Sequence, residues 1–412
     1  MTALRSSRSV AVALVTFATF TDIVAYSVAV PVLPDLSRKL GASPTVIGLL
    51  FASFGVTLLT VSIPMGAVSD RIGRKAPMVG GLLALAAATT LFAFADSLPW
   101  LFAARLVQGA ADAVTWVVGF ALVADLYDRD ERGRVMGLVM AGTNFAFMFG
   151  PSIGGWLYES GGIRLPFLFV AALALVGAAA FLWFEIPANR TAHDTVPIVT
   201  VLRVRAVAAC AAAVVAASAT IAMLEPVLPL FLTATLGIGP ARIGLIFGVG
   251  AVASTILHPV YGRLVNRFGA RRLTMIGLVL VAGFLPLLSF ISSFRSAIGL
   301  YVLGTAAVAM VITPSLAYMA EATASAGVGS FGVGYGLYNM AWGAGLLTGP
   351  ALGGFLFERM GFTRLMIAWS PALLIVTLLL ARVQSGIRLT DPANATSFRK
   401  PDAVDATGSV RP

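Results

Sequence analysis

Apolar residues run along this chain in long, unbroken stretches, separated by short polar connections. About 20 apolar residues in helical conformation cross a bilayer core. On that measure twelve spans are predicted, near 9–31, 45–68, 76–96, 98–126, 134–157, 165–186, 206–236, 240–262, 272–292, 296–320, 329–356 and 363–383. Spanning strands would instead alternate over segments of about ten residues, whereas these runs are continuous. The pattern therefore predicts an all-α integral membrane fold. Residues 187–205 are the longest polar connection between spans and divide the chain into two sets of six. The expected layout is an N-terminal six-helix bundle at 1–186, a cytoplasmic linker at 187–205, a C-terminal bundle at 206–384 and a disordered tail at 385–412.

Composition agrees: 58% of residues are hydrophobic and 11% charged, against about 25% charged in a soluble domain. The net charge of +10 is spread over the loops rather than gathered on one soluble face, so it reads as membrane topology and not as a nucleic-acid surface. With both termini inside, the cytoplasmic segments hold 20 of the 28 Lys and Arg, the opposite side holds 7, and Arg105 lies within a span. That asymmetry is the positive-inside pattern. The single cysteine, Cys210, rules out an intramolecular disulfide, and no metal or cofactor is expected. The apolar segment after Arg8 is longer than a signal-peptide core and runs to Pro31, where Pro31-Val32-Leu33-Pro34 ends the first span. Twenty-five Arg against three Lys point to a GC-rich bacterium and its inner membrane.

The two sets of spans repeat each other. Gly66-Ala67-Val68-Ser69-Asp70-Arg71-Ile72-Gly73-Arg74-Lys75 follows span two, and Gly262-Arg263-Leu264-Val265-Asn266-Arg267-Phe268-Gly269-Ala270-Arg271-Arg272 follows span eight, 196 residues on. Pro31-Val32-Leu33-Pro34 recurs as Pro226-Val227-Leu228-Pro229, and Gly150-Pro151-Ser152-Ile153-Gly154-Gly155 as Gly349-Pro350-Ala351-Leu352-Gly353-Gly354. Two parallel repeats of six spans, each with a short basic loop, is an organisation used by secondary transporters.

These motifs resemble those of the major facilitator superfamily. The 66–75 loop resembles its signature between helices two and three, and Arg105-Leu106-Val107-Gln108-Gly109 its helix-four motif. Asp125 through Gly137 resembles its loop between helices four and five. Gly142 with Gly150-Pro151 and Gly154-Gly155 resembles the helix-five motif of proton-driven antiporters. Within the superfamily the chain is similar to twelve-helix drug:proton antiporters and to vesicular amine transporters, through Asp22 and Ala222-Met223-Leu224-Glu225-Pro226-Val227-Leu228-Pro229. It departs from the amine transporters at Asn339, where they carry an acid, and at Phe54 and Leu373, aligned with a lysine and an acid. The resemblance implies that Arg105, with Gln108 beside it, helps couple proton movement. It also implies that the helix-five glycines seal one side of a cavity against proton leak.

Four ionisable side chains fall at bilayer depth: Asp22, Arg105, Asp112 and Glu225. Each costs about 2.5–3.5 kcal/mol on insertion scales, so each is a candidate for proton coupling. A buried carboxyl can hold a proton or a substrate cation but not easily both, the simplest basis for exchange. Tyr26, one turn on from Asp22, is placed to hydrogen-bond it. Arg105 and Asp112 are seven residues apart on one face of span four, about 10 Å along the axis, so a static ion pair is the plainer alternative. Glu225 precedes Pro226, which removes a backbone donor and loosens its helix. Its repeat-equivalent is Val30, so the fold does not itself demand an acid there.

Tyr335, Tyr338, Asn339 and Trp342 share one face of span eleven at i, i+3, i+4 and i+7. Such a face can hold a lipophilic cation through the aromatic rings or simply pack. Phe145 and Phe149 carry a weaker form of that argument, and Trp116 and Asn144 are assigned to the same cavity. His258 reads as packed. Gly142, Gly150, Gly154 and Gly155 form a small-residue stripe, and Pro151 bends its helix. Gly66, Asp70, Arg71, Gly73, Arg74 and Lys75 are expected to latch the two halves together on the cytoplasmic side.

The expected function is a monomeric proton antiporter that exports a small lipophilic or cationic compound, a drug-like molecule or an amine. Its partners are that substrate, protons and the lipid bilayer. No GxxxxGK[ST] loop for ATP is present, and no nucleophile–base set marks an enzyme. The alternatives are proton-coupled efflux of a neutral metabolite such as a sugar or amino acid, and a non-transporting membrane sensor. An anionic substrate would need cavity cations beyond Arg105, and the spans offer none.

Overall fold

The computed structural model describes residues 8–186, 204–325 and 331–382. The proposed linker (but for its last two residues) and the C-terminal tail lie outside these. In chain order the helices are α1 (Arg8–Ser27), α2 (Leu33–Leu40), α3 (Pro44–Ile72), α4 (Lys75–Phe94), α5 (Leu98–Leu126) and α6 (Arg129–Gly161). They continue as α7 (Arg164–Trp183), α8 (Arg205–Leu236), α9 (Pro240–Phe268), α10 (Ala270–Phe284), α11 (Phe294–Ser325) and α12 (Phe331–Arg382). Among the described residues, eleven helical stretches are long and apolar enough to cross a membrane. The last holds two spans, because α12 is broken at Gly361 (φ 78°).

The first stretch differs from expectation. Pro31-Val32-Leu33-Pro34 does not end it: a 3₁₀ turn at Val30–Val32 joins α1 to α2, which continues to Leu40. Pro31 and Pro34 occupy first-turn positions of the 3₁₀ turn and α2, where the missing N–H is not needed. The matching Pro226 and Pro229 lie inside the unbroken α8.

Punctuation is also repeated. α3 starts at Ser43-Pro44 and α9 at Gly239-Pro240, each with proline in the first turn. The two helices end at Gly73 (φ 89°) and Gly269 (φ 83°), a backbone region that other residues avoid.

Within the first six-helix set α1 packs on α5, α6 and α7; in the second, α8 packs on α11 and α12. Between the sets α3 lies along α12, and α6 along α9. Glycines bring these helices close. A Cβ on Gly48 would sit 2.2 Å from the Pro350 carbonyl oxygen, and one on Gly155 2.4 Å from that of Pro240. The outside is apolar, with Trp183, Leu182 and Phe290 exposed as lipid requires.

One face of the molecule carries Arg38, Lys39, Arg164, Arg242, Arg295, Arg359 and Arg364 near the helix ends. The other carries Arg71, Arg74, Lys75, Arg132, Arg134, Arg263, Arg267, Arg271 and Arg272. These are called below the arginine-poor and arginine-rich faces.

Candidate functional site

The buried charges gather where α1, α5 and α8 meet. Asp22 on α1 and Asp112 on α5 are both buried. Their carboxyls lie within hydrogen-bonding reach of each other, with the Trp116 side chain beside both. Thr115 Oγ1 donates to Asp22 Oδ2 at 3.2 Å and also to the Asp112 backbone oxygen at 3.0 Å. A carboxylate has no proton to donate, so a hydrogen bond between the two acids requires a proton held by the pair. Trp116 stacks on Phe120 at 5.4 Å.

Tyr26 does not turn to Asp22. Its hydroxyl donates to Glu225 Oε2 on α8, a buried hydrogen bond between the two bundles. Tyr26 and Asp22 are four residues apart but point to different neighbours, because Asp22 faces α5 and Tyr26 faces the second bundle. Phe54, aligned with the relatives' lysine, packs against the Tyr26 ring at 4.9 Å. Leu373 is buried apolar core.

Arg105 has no exposure and forms no ion pair with Asp112 or with any other described residue. The acid that spacing offered it is turned toward Asp22. The guanidinium instead lies 4.2 Å from the Phe51 ring centre, 5.4 Å from Tyr26 and 5.5 Å from Phe92. Its Nη1 reaches Gln108 Oε1 at 3.4 Å, and Gln108 in turn reaches Thr89. Nε and Nη2 have no hydrogen-bond partner among the described residues. Aromatic faces offset part of the cost of burying a cation, but two donors stay unmatched in this conformation.

The aromatic face of α12 divides. Tyr338 is buried, within 3.5 Å of Ser315 Oγ, and Trp342 stacks on it at 6.4 Å, whereas Asn339 is exposed. Nothing is described of the Tyr335 side chain. Asn144 is half-buried on α6. Phe145 and Phe149 stack on each other, both exposed, and Phe145 lines a 430 Å³ cleft between α1 and α6. His258 Nδ1 lies 2.6 Å from Thr313 Oγ1.

The glycine stripe of α6 is split. Gly142 and Gly150 pack on Thr16 and Ser27 of α1 and Gly154 on Val28 just after it, while Gly155 meets α9 across the bundle junction.

In this conformation the 66–75 loop makes its polar contacts within the first bundle. Arg74 pairs with Asp125 through Nε at 2.8 Å and with Asp70 at 2.6 Å, and donates to Ser69 at 2.5 Å. Lys75 Nζ donates to the Leu182 and Phe184 carbonyls. Every one of these partners lies in the first bundle. Half-burial works against the Arg74 charge, but Asp125 and Asp70 more than restore it and hold its pKa above the ordinary arginine value. Gly66 approaches only Val117 of α5, and Arg71 is exposed.

Sequence reasoning did not find Thr115, nor the rings of Phe51 and Phe92 that enclose Arg105. A threonine three residues from Asp112 was the only signal for the first; nothing local marks the second.

Two six-helix bundles in lipid, with acids and an arginine at their junction, define a polytopic membrane protein of the two-bundle kind. The model of the Major Facilitator Superfamily matches this chain twice, at residues 15–209 and 208–404, and the chain belongs to that family. The synaptic vesicular amine transporter of Rattus norvegicus is 29% identical over 337 residues, covering 81% of this chain and 65% of the relative. The chromaffin granule amine transporter of the same organism is 30% identical, covering 78% and 62%. The chain thus spans a little under two thirds of the length of these curated relatives. The fold is shared with a bacterial homolog of the human lysosomal transporter Spinster, solved inward-facing and unoccupied. That match has 15% identity and a TM-score of 0.74, over 90% of this chain and 96% of that one. The nucleoside transporter NupG matches at 13% identity and a TM-score of 0.74, over 90% and 98%.

Proposed function

We propose that the protein is a secondary transporter that exports small lipophilic or cationic compounds, amines among them, in exchange for protons by alternating access. The observation that carries this reading is the buried Asp22–Asp112 pair, two neighbouring carboxyls placed to share a proton. Losing that proton leaves two like charges in a low-dielectric site, which favours either re-protonation or capture of a cation. Glu225 supplies a third buried acid on the opposite bundle, held by Tyr26. Likeness to proteins named as amine transporters supports a cationic substrate.

The arginine-rich face is read as cytoplasmic by the positive-inside rule, in the inner membrane of a bacterium, with the protein acting as a monomer. In that orientation the bundles meet at the outer face.

The test uses proteoliposomes with an imposed pH gradient and a fluorescent lipophilic cation. Wild type takes the cation up in exchange for protons leaving down their gradient, and Asp22→Asn does not. Wild-type vesicles that neither accumulate the cation nor dissipate the gradient when candidate compounds are added would overturn the reading.

A further inference from the structure

At the arginine-poor face the bundles are joined by two polar contacts that mirror each other. Glu358, near the end of the first limb of α12, accepts from the Thr45 backbone N–H at 2.9 Å and the Ser43 hydroxyl at 2.7 Å. Ser43 caps α3, whose first turn includes Thr45. Glu159, near the end of α6, accepts from the Ala241 backbone N–H at 3.0 Å, in the first turn of α9. The glutamates are 199 residues apart, the same offset as Gly150-Pro151 and Gly349-Pro350, and the two helix starts are 196 apart. Each bundle thus lends one carboxylate to the other bundle's helix.

First-turn N–H groups have no partner within their own helix, and that end of the helix carries the positive pole of the macrodipole. A carboxylate brought from the opposite bundle satisfies both at once. Close approach makes this reach possible: Gly48 lies one turn into α3 against Pro350, and Gly155 lies one turn before Glu159 against Pro240. Glu358 is exposed, so water competes for its bonds. A contact that must break in each cycle needs that weakness.

We propose that Glu159 and Glu358 form a two-fold pair of clasps that hold the arginine-poor face closed, and that opening of this face releases both. The inference rests on the alternating-access reading, and its test needs neither substrate nor proton gradient. Spin labels are placed on Lys39→Cys and Thr363→Cys, one per bundle at this face, in a Cys210→Ala background of the full chain in nanodiscs. Pulsed dipolar spectroscopy then gives the ratio of long to short distances. Glu159→Ala and Glu358→Ala each raise that ratio about three-fold, and the double variant raises it about ten-fold, since distant contributions add. The glutamine variants, which keep an acceptor oxygen without the charge, shift it less. Arg164→Ala, at the same face but with its guanidinium over Phe94 and outside both clasps, leaves it unchanged. A double alanine variant with the wild-type distribution, or an equal shift from Arg164→Ala, overturns the clasp. Failure of cation transport with the distance shift intact would count against the proposed function alone.

Discussion

The two repeats place the same helix ends at the arginine-rich face but use them differently. Lys75 caps the last carbonyls of α7, at Leu182 and Phe184. Its counterpart 196 residues on, Arg271, caps those of α12, at Leu380 and Ala381. Both repeats keep this cation because a buried helix end leaves carbonyls to satisfy. The neighbouring triad is kept once. Asp70, Arg74 and Asp125 form an ion network in the first bundle; the same positions in the second are Asn266, Ala270 and Glu321, and Glu321 has no ion pair among the described residues. The same holds at the bundle junction, where Asp22, Arg105 and Asp112 correspond to Ala217, Tyr301 and Val308. All three replacements are buried in the second bundle. What both repeats carry serves the architecture. What only one carries is not required by the fold, and it costs stability to retain in lipid.

The largest test of this comparison lies in the acids. Asp22→Asn and Asp112→Asn should each lower gradient-driven uptake at least a hundred-fold. Groups that act as a unit are non-additive, so the double variant should be no slower than either single one. Initial uptake rates check this, and multiplying losses would show two independent proton sites instead of one shared site.

Arg105 sharpens the comparison from the opposite direction. Its counterpart is the uncharged Tyr301, and two of its own donors lack partners. Replacing a buried charge with an apolar side chain of similar volume often stabilises by about 1–4 kcal/mol. Arg105→Met is therefore expected to raise the thermal unfolding temperature while uptake falls ten-fold or more. A destabilised variant would mean that the guanidinium is paired in the dominant state.

The fold was legible because lipid imposes it: long apolar runs, helix-breaking glycines and a period near 196 residues suffice for twelve spans in two sets. The identities of the buried charges were equally legible, since an ionisable residue in an apolar run stands out. Their partners were not. Spacing along one helix offered Asp22 to Tyr26 and Arg105 to Asp112, yet rotation of α1 and α5 against each other joined the two aspartates and turned Tyr26 to Glu225. A pairing between helices depends on crossing geometry that no single helix encodes. The contacts of the 66–75 loop escape a sequence reading for a similar reason. Its basic residues reach Asp125 and the end of α7, which are distant in sequence but neighbours within one bundle. The clasps left a usable trace, two glutamates and two proline-started helices at the repeat offset, though only the structure shows that they meet.

The triad gives the next largest effect, in stability. Asp125 is nearly buried and Arg74 is its closest cation. Arg74→Ala leaves that carboxylate without its ion pair and should cost about 2–3 kcal/mol. Adding Asp125→Ala should recover most of it. Thermal unfolding in detergent, arranged as a double-mutant cycle, measures the coupling. A coupling below about 0.5 kcal/mol would make the loop a surface anchor and not a structural network.

The smallest effect completes the contrast, at the residue that stands where Asp125 stands in the first repeat. Glu321 is exposed near the end of α11 and pairs with no cation among the described residues. Surface substitutions away from such partners usually stay within about 0.5 kcal/mol, so Glu321→Gln should unfold with wild type, whereas Asp125→Asn should be clearly destabilised. If the two behave alike, the asymmetry between the basic loops is one of sequence only. If they differ as expected, the first bundle holds its arginine-rich end by charge and the second by capping alone, and the second is then the more easily deformed of the two when that face closes.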